Sequence, residues 1–367
     1  MNKLTFFLGG LSGGGSERVV CNLANYLSDK GIEVQILTLG DDEPTYSLKK
    51  EINRISLPKK KDRTFFFGKL IKRLIRLLFF IRNNKTDVYV VFLPVTTILM
   101  LFFKFMIKCP VVASERAFPS VYSFRKQKML QRLAHLADGW VFQTQSQEKW
   151  YGCYIKNVPR VIIPNAINEE FLDAAYDGVK EKIVISTGRL TKQKNHALLI
   201  NSFAQVLKKI PNYKLYIYGD GPEKNNLEEL IFLLGLQHNI FLPGYSTEIK
   251  KIMRKASLFV LSSDFEGMPN ALMEAMALGI PCISTDCDGG GAKSLIENGV
   301  NGLLVPKQNE KSMSEAIEKI LVNQDLAKSL GENARKICDR LSPEKIYGEW
   351  ESFILNIVRK SKNNFDV

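Results

Sequence analysis

Lys182–Ile200 reads KIVISTGRLTKQKNHALLI: a β-branched run, a glycine, two cations, then apolar residues at helical spacing. A short apolar run that ends in a turn and is followed by a 3.6-residue period is one strand–helix unit. The same unit recurs downstream at KLYIYGD, IFLPG, LFVLSS, PCIST and GLLVP, and upstream at LTFFLGG, VQILTL, VYVVFL, PVVAS, GWVFQ and VIIP. Strands separated by helices imply an α/β fold with parallel sheets covered on both faces. Two such series, divided near IPNAINEEFLDAAYDG, imply two doubly wound domains facing one cleft. The boundaries are expected at 1–167 and 168–345, with a closing segment at 346–367.

The chain has 367 residues, 45% hydrophobic and 24% charged, enough for two domains with full cores. Neither a disulfide-stapled mini-protein nor wholesale disorder fits that composition. The formal charge is +13, and residues 1–168 hold 26 basic against 12 acidic side chains while the remainder hold 25 against 26. Within the first half, residues 49–85 carry 13 basic and 2 acidic residues, so the excess is a local patch suited to anionic surfaces. Six cysteines form no CxxC pair, and there are only three histidines; no metal centre is expected, and the thiols read as reduced in a cytosolic compartment. MNKLTFFLGGLSGGG is broken by glycine too early for a secretory signal and reads as a first strand. VYVVFLPVTTILMLFF, residues 88–103, falls short of the ~20 residues that span a bilayer. It is expected to form a buried strand, a turn at Pro94 and a core-facing helix from about Thr96.

In such folds ligands sit beyond the carboxyl ends of the strands. Gly9–Gly15 follow the first strand, and Ser16, Glu17 and Arg18 open a helix whose free N–H groups could meet an anion. A glycine loop with a purely structural role is the other reading. Ser114, Glu115 and Arg116 follow PVVA either as a surface ion pair or as part of the cleft. Gly188, Arg189 and Lys194 straddle a tight turn at a helix start, where guanidinium, ammonium and N–H groups can converge on a diphosphate; solvated surface charges are the alternative. Asp264–Ala275, DFEGMPNALMEA, carries the strongest pattern. Glu266 lies just past a strand, and Glu274 lies on the helix that Pro269 and Asn270 begin. Two hydroxyl-accepting carboxylates that flank an anion-binding helix terminus suit a nucleotide sugar.

EGMPNALMEAMALGIPCISTD, with seven residues between Glu266 and Glu274, resembles the signature of family 4 retaining glycosyltransferases of the GT-B fold. GGLSGGGSERV, SER, IPNAIN, GRLTKQKNHALLI, GDGPE, FLPGYS and NGVNGLLVP stand in the expected order, so the resemblance covers nearly the whole chain. It implies an N-terminal acceptor-binding and a C-terminal nucleotide-sugar-binding Rossmann-like domain, with YGEWESFIL crossing back onto the first. It further implies that Gly188, Arg189 and Lys194 hold the donor diphosphate and that Glu274 holds the ribose. Glu266, with backbone N–H groups around Asn270, Ala271 and Leu272, would contact the donor sugar. Gly244 and Tyr245 would lie by the base, with Gly14 and Gly15 near the phosphates. Glu115 and Arg116 fall on the acceptor side, where many members have histidine in place of Arg116. Ala292, Lys293 and Ser294 replace a triplet common in the family.

The implied reaction moves a hexose or N-acetylhexosamine from a nucleotide diphosphate sugar, UDP-linked by expectation, to a lipid-linked or oligosaccharide acceptor in cell-surface glycan synthesis. It needs no metal or other cofactor. A non-hydrolysing sugar-nucleotide epimerase of the same fold is the alternative, and a basic nucleic-acid-binding protein a remote one. The basic patch lacks the interleaved aromatics of a nucleic-acid reading surface, so no nucleic-acid partner is expected. In residues 65–82, Lys69, Lys72, Arg73 and Arg76 fall at i, i+3, i+4 and i+7, with Phe67, Leu70, Ile71, Leu74 and Leu78 opposite. An amphipathic helix of this composition is expected to lie on the anionic inner face of the cell membrane, holding a cytoplasmic enzyme there.

Overall fold

A computed structural model describes residues 1–57, 66–172 and 178–363, with the backbone alone for 66–70. It divides into two compact units, residues 1–165 with 344–367 and residues 166–343.

The first unit holds seven parallel strands: β1 (Lys3–Leu8), β2 (Glu33–Thr38), β3 (Asn53–Ser56), β4 (Val88–Phe92), β5 (Val111–Ser114), β6 (Gly139–Phe142) and β7 (Arg160–Ile162). Their order is β3-β2-β1-β4-β5-β6-β7. Six match apolar runs; β3, NRIS, does not, because an edge strand with exposed or half-exposed side chains shows no hydrophobic pattern. The central strands are buried on both faces, which is why they read as continuous apolar runs.

One face packs Phe7, Tyr89, Val91, Trp140 and Phe142 against Leu77 and Ile81 of helix Phe66–Asn83, Ile98 and Leu101 of helix Pro94–Phe102, and Leu130 of helix Phe124–Leu133. The other face takes the last helix, Pro343–Asn363. Its Trp350 is fully buried and stacks on Phe92 with centroids 5.7 Å apart. Pro94 begins its helix instead of forming a turn before it, since a missing N–H costs nothing at a first helical position.

Helix Phe66–Asn83 lies close to the expected segment but is rotated from the expected orientation. Leu77 and Ile81 face the core, Ile71 is exposed although expected on the covered side, and Arg76 is half-covered, donating to the Leu57 carbonyl at 2.9 Å. Lys72 is exposed and Arg73 half-buried. The Lys69 side chain lies outside the described residues. The sheet selects which stripe it covers by shape and depth, and helical periodicity alone does not specify that choice.

The second unit holds β8 (Glu181–Thr187), β9 (Lys214–Tyr218), β10 (Ile240–Gly244), β11 (Ala256–Leu261), β12 (Cys282–Asp286) and β13 (Leu303–Pro306), all parallel, in the order β10-β9-β8-β11-β12-β13. β8 and β11 are neighbours at the centre although three helices and two strands separate them in sequence. The strand order reverses there, so the loops leaving β8 and β11 open side by side at the switch point where α/β ligands bind.

Candidate active site

β8 ends in Thr187, and the chain turns through Gly188, Arg189 and Leu190 before a single 3₁₀ turn, Lys192–Lys194. Asn195 then caps the helix His196–Leu207 from the left-handed region at φ 44°, its Oδ1 accepting the Leu198 N–H at 3.3 Å. Asparagine tolerates that conformation and caps helices well. Its Nδ2 donates to Asp264 Oδ1 at 3.1 Å, and the Asp264 N–H donates to the Gln193 carbonyl at 2.9 Å. Gln193 Nε2 donates back to the Phe265 carbonyl at 2.9 Å, and Ser262 Oγ donates to the Lys194 carbonyl at 2.9 Å. These crossing bonds fix the loop after β8 to the loop after β11.

The bonded loops bring Lys194 to Glu266. Lys194 Nζ lies 2.6 Å from Glu266 Oε1, with side chains 16% and 9% exposed. Ser263 Oγ donates to the same oxygen at 2.7 Å, and the Glu266 N–H donates to the Asp288 carbonyl at 2.8 Å. Three residues on, Pro269 leads into the helix Asn270–Ala277 with no side-chain cap. The first-turn N–H groups of Asn270, Ala271 and Leu272 therefore lie at the mouth of a helix that points positive charge toward the loop. Glu274 sits half-buried one turn further along that helix. Arg189 is exposed on the same loop as Lys194 and makes no ion pair among the described residues.

Two glycines are set by close approach. A Cβ on Gly219 would stand 2.0 Å from the Gly188 carbonyl oxygen, and one on Gly291 1.9 Å from that of Gly267. Gly219 also donates to the Gly244 carbonyl at 2.9 Å, and the Tyr245 N–H donates to Asp220 Oδ2 at 3.1 Å; Tyr245 is 78% exposed.

Burial and the Lys194 charge push His196 down to about 4, so its imidazole is neutral. Cys287 is pushed up to about 12 by burial and then by the Glu266 charge; it stays a protonated, unreactive thiol. Among the described residues no three histidine, cysteine, aspartate or glutamate side chains group in a way that could hold a metal ion.

In the first unit, Gly14 is the extended residue before the helix Gly15–Asp29. Glu115 and Arg116 follow β5 and do not form the surface ion pair that is one of the two readings of the sequence. Both are buried, and the Glu115 carboxylate bonds to other partners than its neighbour's guanidinium. Oε1 accepts from the Arg116 N–H at 2.9 Å and from Tyr122 OH at 2.5 Å, and Oε2 accepts from Tyr151 OH at 2.6 Å. Burial raises the Glu115 pKa against these bonds. The Arg116 guanidinium lies 5.4 Å from the Phe92 ring centre and 5.7 Å from that of Trp350, none of its nitrogens with a hydrogen-bond partner among the described residues. Burial, opposed by the Glu115 charge, lowers its pKa to about 9.

The structure thus joins Lys194, Glu266 and the start of helix Asn270–Ala277 directly, with Arg189 on the adjoining turn. Ser263 and Asp288, which help hold these groups in place, were not singled out in the sequence, and Asn195 and Asp264 stood in the motifs without the bracing role they have here. The serine pair closing LFVLSS was the available signal, because polar residues at a buried strand end need partners.

Comparison with known proteins supports the same reading. The family model for glycosyltransferase family 4 matches residues 13–171, and that for glycosyl transferases group 1 matches residues 169–337. A curated N-acetylgalactosamine-N,N'-diacetylbacillosaminyl-diphospho-undecaprenol 4-alpha-N-acetylgalactosaminyltransferase of Campylobacter jejuni is 30% identical over 97% of this chain and 100% of its own length. A second enzyme of that organism, an alpha-1,4-N-acetyl-D-galactosaminyltransferase acting on a diNAcBac-PP-undecaprenol-linked disaccharide, is 28% identical over 97% and 99%. Among solved structures, Anabaena HepE in complex with UDP superposes with a TM-score of 0.81 at 17% identity, over 97% of this chain and 100% of that one. Matched along its whole length at this identity, and with paired parallel sheets of the same architecture, the chain belongs to glycosyltransferase family 4 and is a hexosyltransferase of the GT-B fold.

Proposed function

We propose that the enzyme transfers a hexose or N-acetylhexosamine from a UDP-sugar to a hydroxyl of a lipid-linked or polysaccharide acceptor, with retention at the anomeric carbon, in bacterial cell-surface glycan synthesis. The observation that carries this reading is the Lys194–Glu266 contact of 2.6 Å at the mouth of an uncapped helix. It places a cation, a carboxylate and a row of N–H donors within one small volume. The names of the two Campylobacter enzymes and the UDP held by HepE support the donor and acceptor classes.

In the reaction the bond from the anomeric carbon to the diphosphate oxygen breaks, and its electron pair leaves with UDP. The acceptor oxygen forms the new bond and releases its proton. Negative charge grows on the diphosphate as the bond stretches. Arg189, Lys194 and the N–H groups of Asn270, Ala271 and Leu272 stabilise that charge without reorganising. No resident metal is part of this reading. Glu266 accepts from the sugar hydroxyls and orients the Lys194 ammonium. Glu274 accepts from the ribose hydroxyls, and the loop at Gly244 and Tyr245 borders the base. Glu115 and Arg116 belong to the acceptor side. The enzyme works at the cytoplasmic face of the membrane, held there in part by the basic residues of helix Phe66–Asn83; no described helix is long and apolar enough to cross a bilayer.

Incubation with labelled UDP- and GDP-sugars, with and without a short-chain diphospholipid acceptor, tests this. Slow UDP-sugar hydrolysis alone, transfer when acceptor is added and an unchanged anomeric configuration by NMR are expected. An inverted product refutes retention, interconversion of the free donor indicates an epimerase, and GDP-sugar turnover overturns the UDP assignment.

A further inference from the structure

Helices Phe66–Asn83, Pro94–Phe102 and Phe124–Leu133 pack on one face of the first unit's sheet, and each leaves large apolar side chains exposed to water. Ile75 is 60% and Phe79 70% exposed on the first, and Phe102 is 57% exposed on the second. Phe105 is 82% exposed in the short turn that follows, and Phe124 is 68% exposed at the start of the third. Large aromatic and aliphatic side chains left in water on three helices of one face call for a partner.

The charge around them identifies its kind. Residues 66–136 contain 13 basic side chains and two acidic ones. Neither acid faces outward from these helices: Asp87 binds the Asn2 and Lys3 N–H groups, and Glu115 is sealed by its tyrosines. The third helix, FRKQKMLQRL, leaves Arg125, Lys126, Lys128 and Arg132 exposed, with Lys128 Nζ 4.5 Å from the Phe124 ring centre. Cations bordering exposed aromatic and aliphatic side chains match a bilayer interface, where rings and aliphatic chains enter the acyl boundary and the amines meet phosphates. Nucleic acid would leave the isoleucine and phenylalanine layer unused.

We propose that the outward sides of these three helices form a single face that inserts into an anionic bilayer, with Ile75, Phe79, Phe102, Phe105 and Phe124 entering the lipid. This deepens the membrane attachment in the function proposed above, which invoked only the basic residues of the first helix. The stripe that this helix turns outward is the one carrying Ile75 and Phe79.

The test uses the full chain with vesicles and monolayers containing phosphatidylglycerol. The parent is expected to sediment with anionic vesicles and to raise the monolayer's surface pressure. Combined replacement I75S, F79S, F102S, F105S and F124S, all at exposed positions, should abolish the pressure rise and weaken vesicle binding by about tenfold or more, with residual binding that disappears at high salt. Donor hydrolysis in solution should remain at the parent rate. A serine variant that inserts and binds like its parent overturns the assignment of these five side chains to the lipid. A parent that ignores anionic vesicles, or prefers an acidic protein to them, overturns the bilayer as partner. Vesicle behaviour as expected without turnover of any sugar nucleotide overturns the proposed reaction and leaves this face intact.

Discussion

Replacing Glu266 with glutamine separates a catalytic from a structural role for the buried pair at the mouth of helix Asn270–Ala277. Glutamine keeps the shape and an oxygen that can still accept from Ser263 Oγ, now 2.7 Å away, but it removes the charge facing Lys194 at 2.6 Å. Deleting one member of a buried ion pair outright costs about 3–5 kcal/mol. Here Lys194 remains 16% exposed to water and keeps a neutral acceptor, so the loss should be nearer that of one charge-assisted hydrogen bond, about 2 kcal/mol. For a unit of this size that lowers Tm by ~4–8 °C. A fold with ~5–15 kcal/mol of stability stays more than ~99% folded after such a loss, so unfolding cannot account for a large fall in rate. Loss of the group that positions the sugar and aligns the ammonium should slow transfer by ~100-fold, equivalent to about 2.7 kcal/mol of transition-state stabilisation. Thermal melts and steady-state transfer on the same preparation decide. An unchanged kcat removes Glu266 from the site. A melt lowered by ~15 °C or more, with activity recovered on cooling below it, makes the residue structural.

Glu274→Ala should raise the KM for the donor and weaken competition by UDP, whereas Arg189→Ala and Lys194→Ala should lower kcat by ~10–100-fold, because diphosphate charge develops only as the bond breaks; unchanged rates in both cation variants refute the assignment. Arg116→Met exchanges a buried guanidinium without hydrogen-bond partners for an apolar side chain of similar length, and should leave stability unchanged or raise it by ~1 kcal/mol in urea titration; a loss of several kcal/mol would mean the cation is satisfied in solution. His196, held at about 4 in the fold against 6.5 for its ordinary value, binds fewer protons folded than unfolded between those pH values. Stability should therefore be full above pH 6.5 and fall as pH drops toward 4, by up to about 3 kcal/mol. His196→Leu should flatten that slope in urea midpoints taken across the window, and an identical slope in both proteins refutes it.

Strand–turn–helix units, their parallel arrangement and the two glutamates of DFEGMPNALMEA were legible because each is a local pattern. A period of 3.6, an apolar run or a glycine where backbone must pass backbone is encoded within a few residues. β3 was not legible, since an edge strand need not be apolar. Tertiary structure alone decided which charges meet. Lys194 reaches Glu266 across 72 residues because the sheet sets β8 beside β11. Arg116 rests on Trp350 because the final helix returns to the first unit, and Glu115 is sealed by tyrosines on separate segments. The rotation of helix Phe66–Asn83 belongs with these. Its sequence offers two stripes apolar enough to bury, and only the contour of the sheet beneath determines which is covered and which is left to face outward.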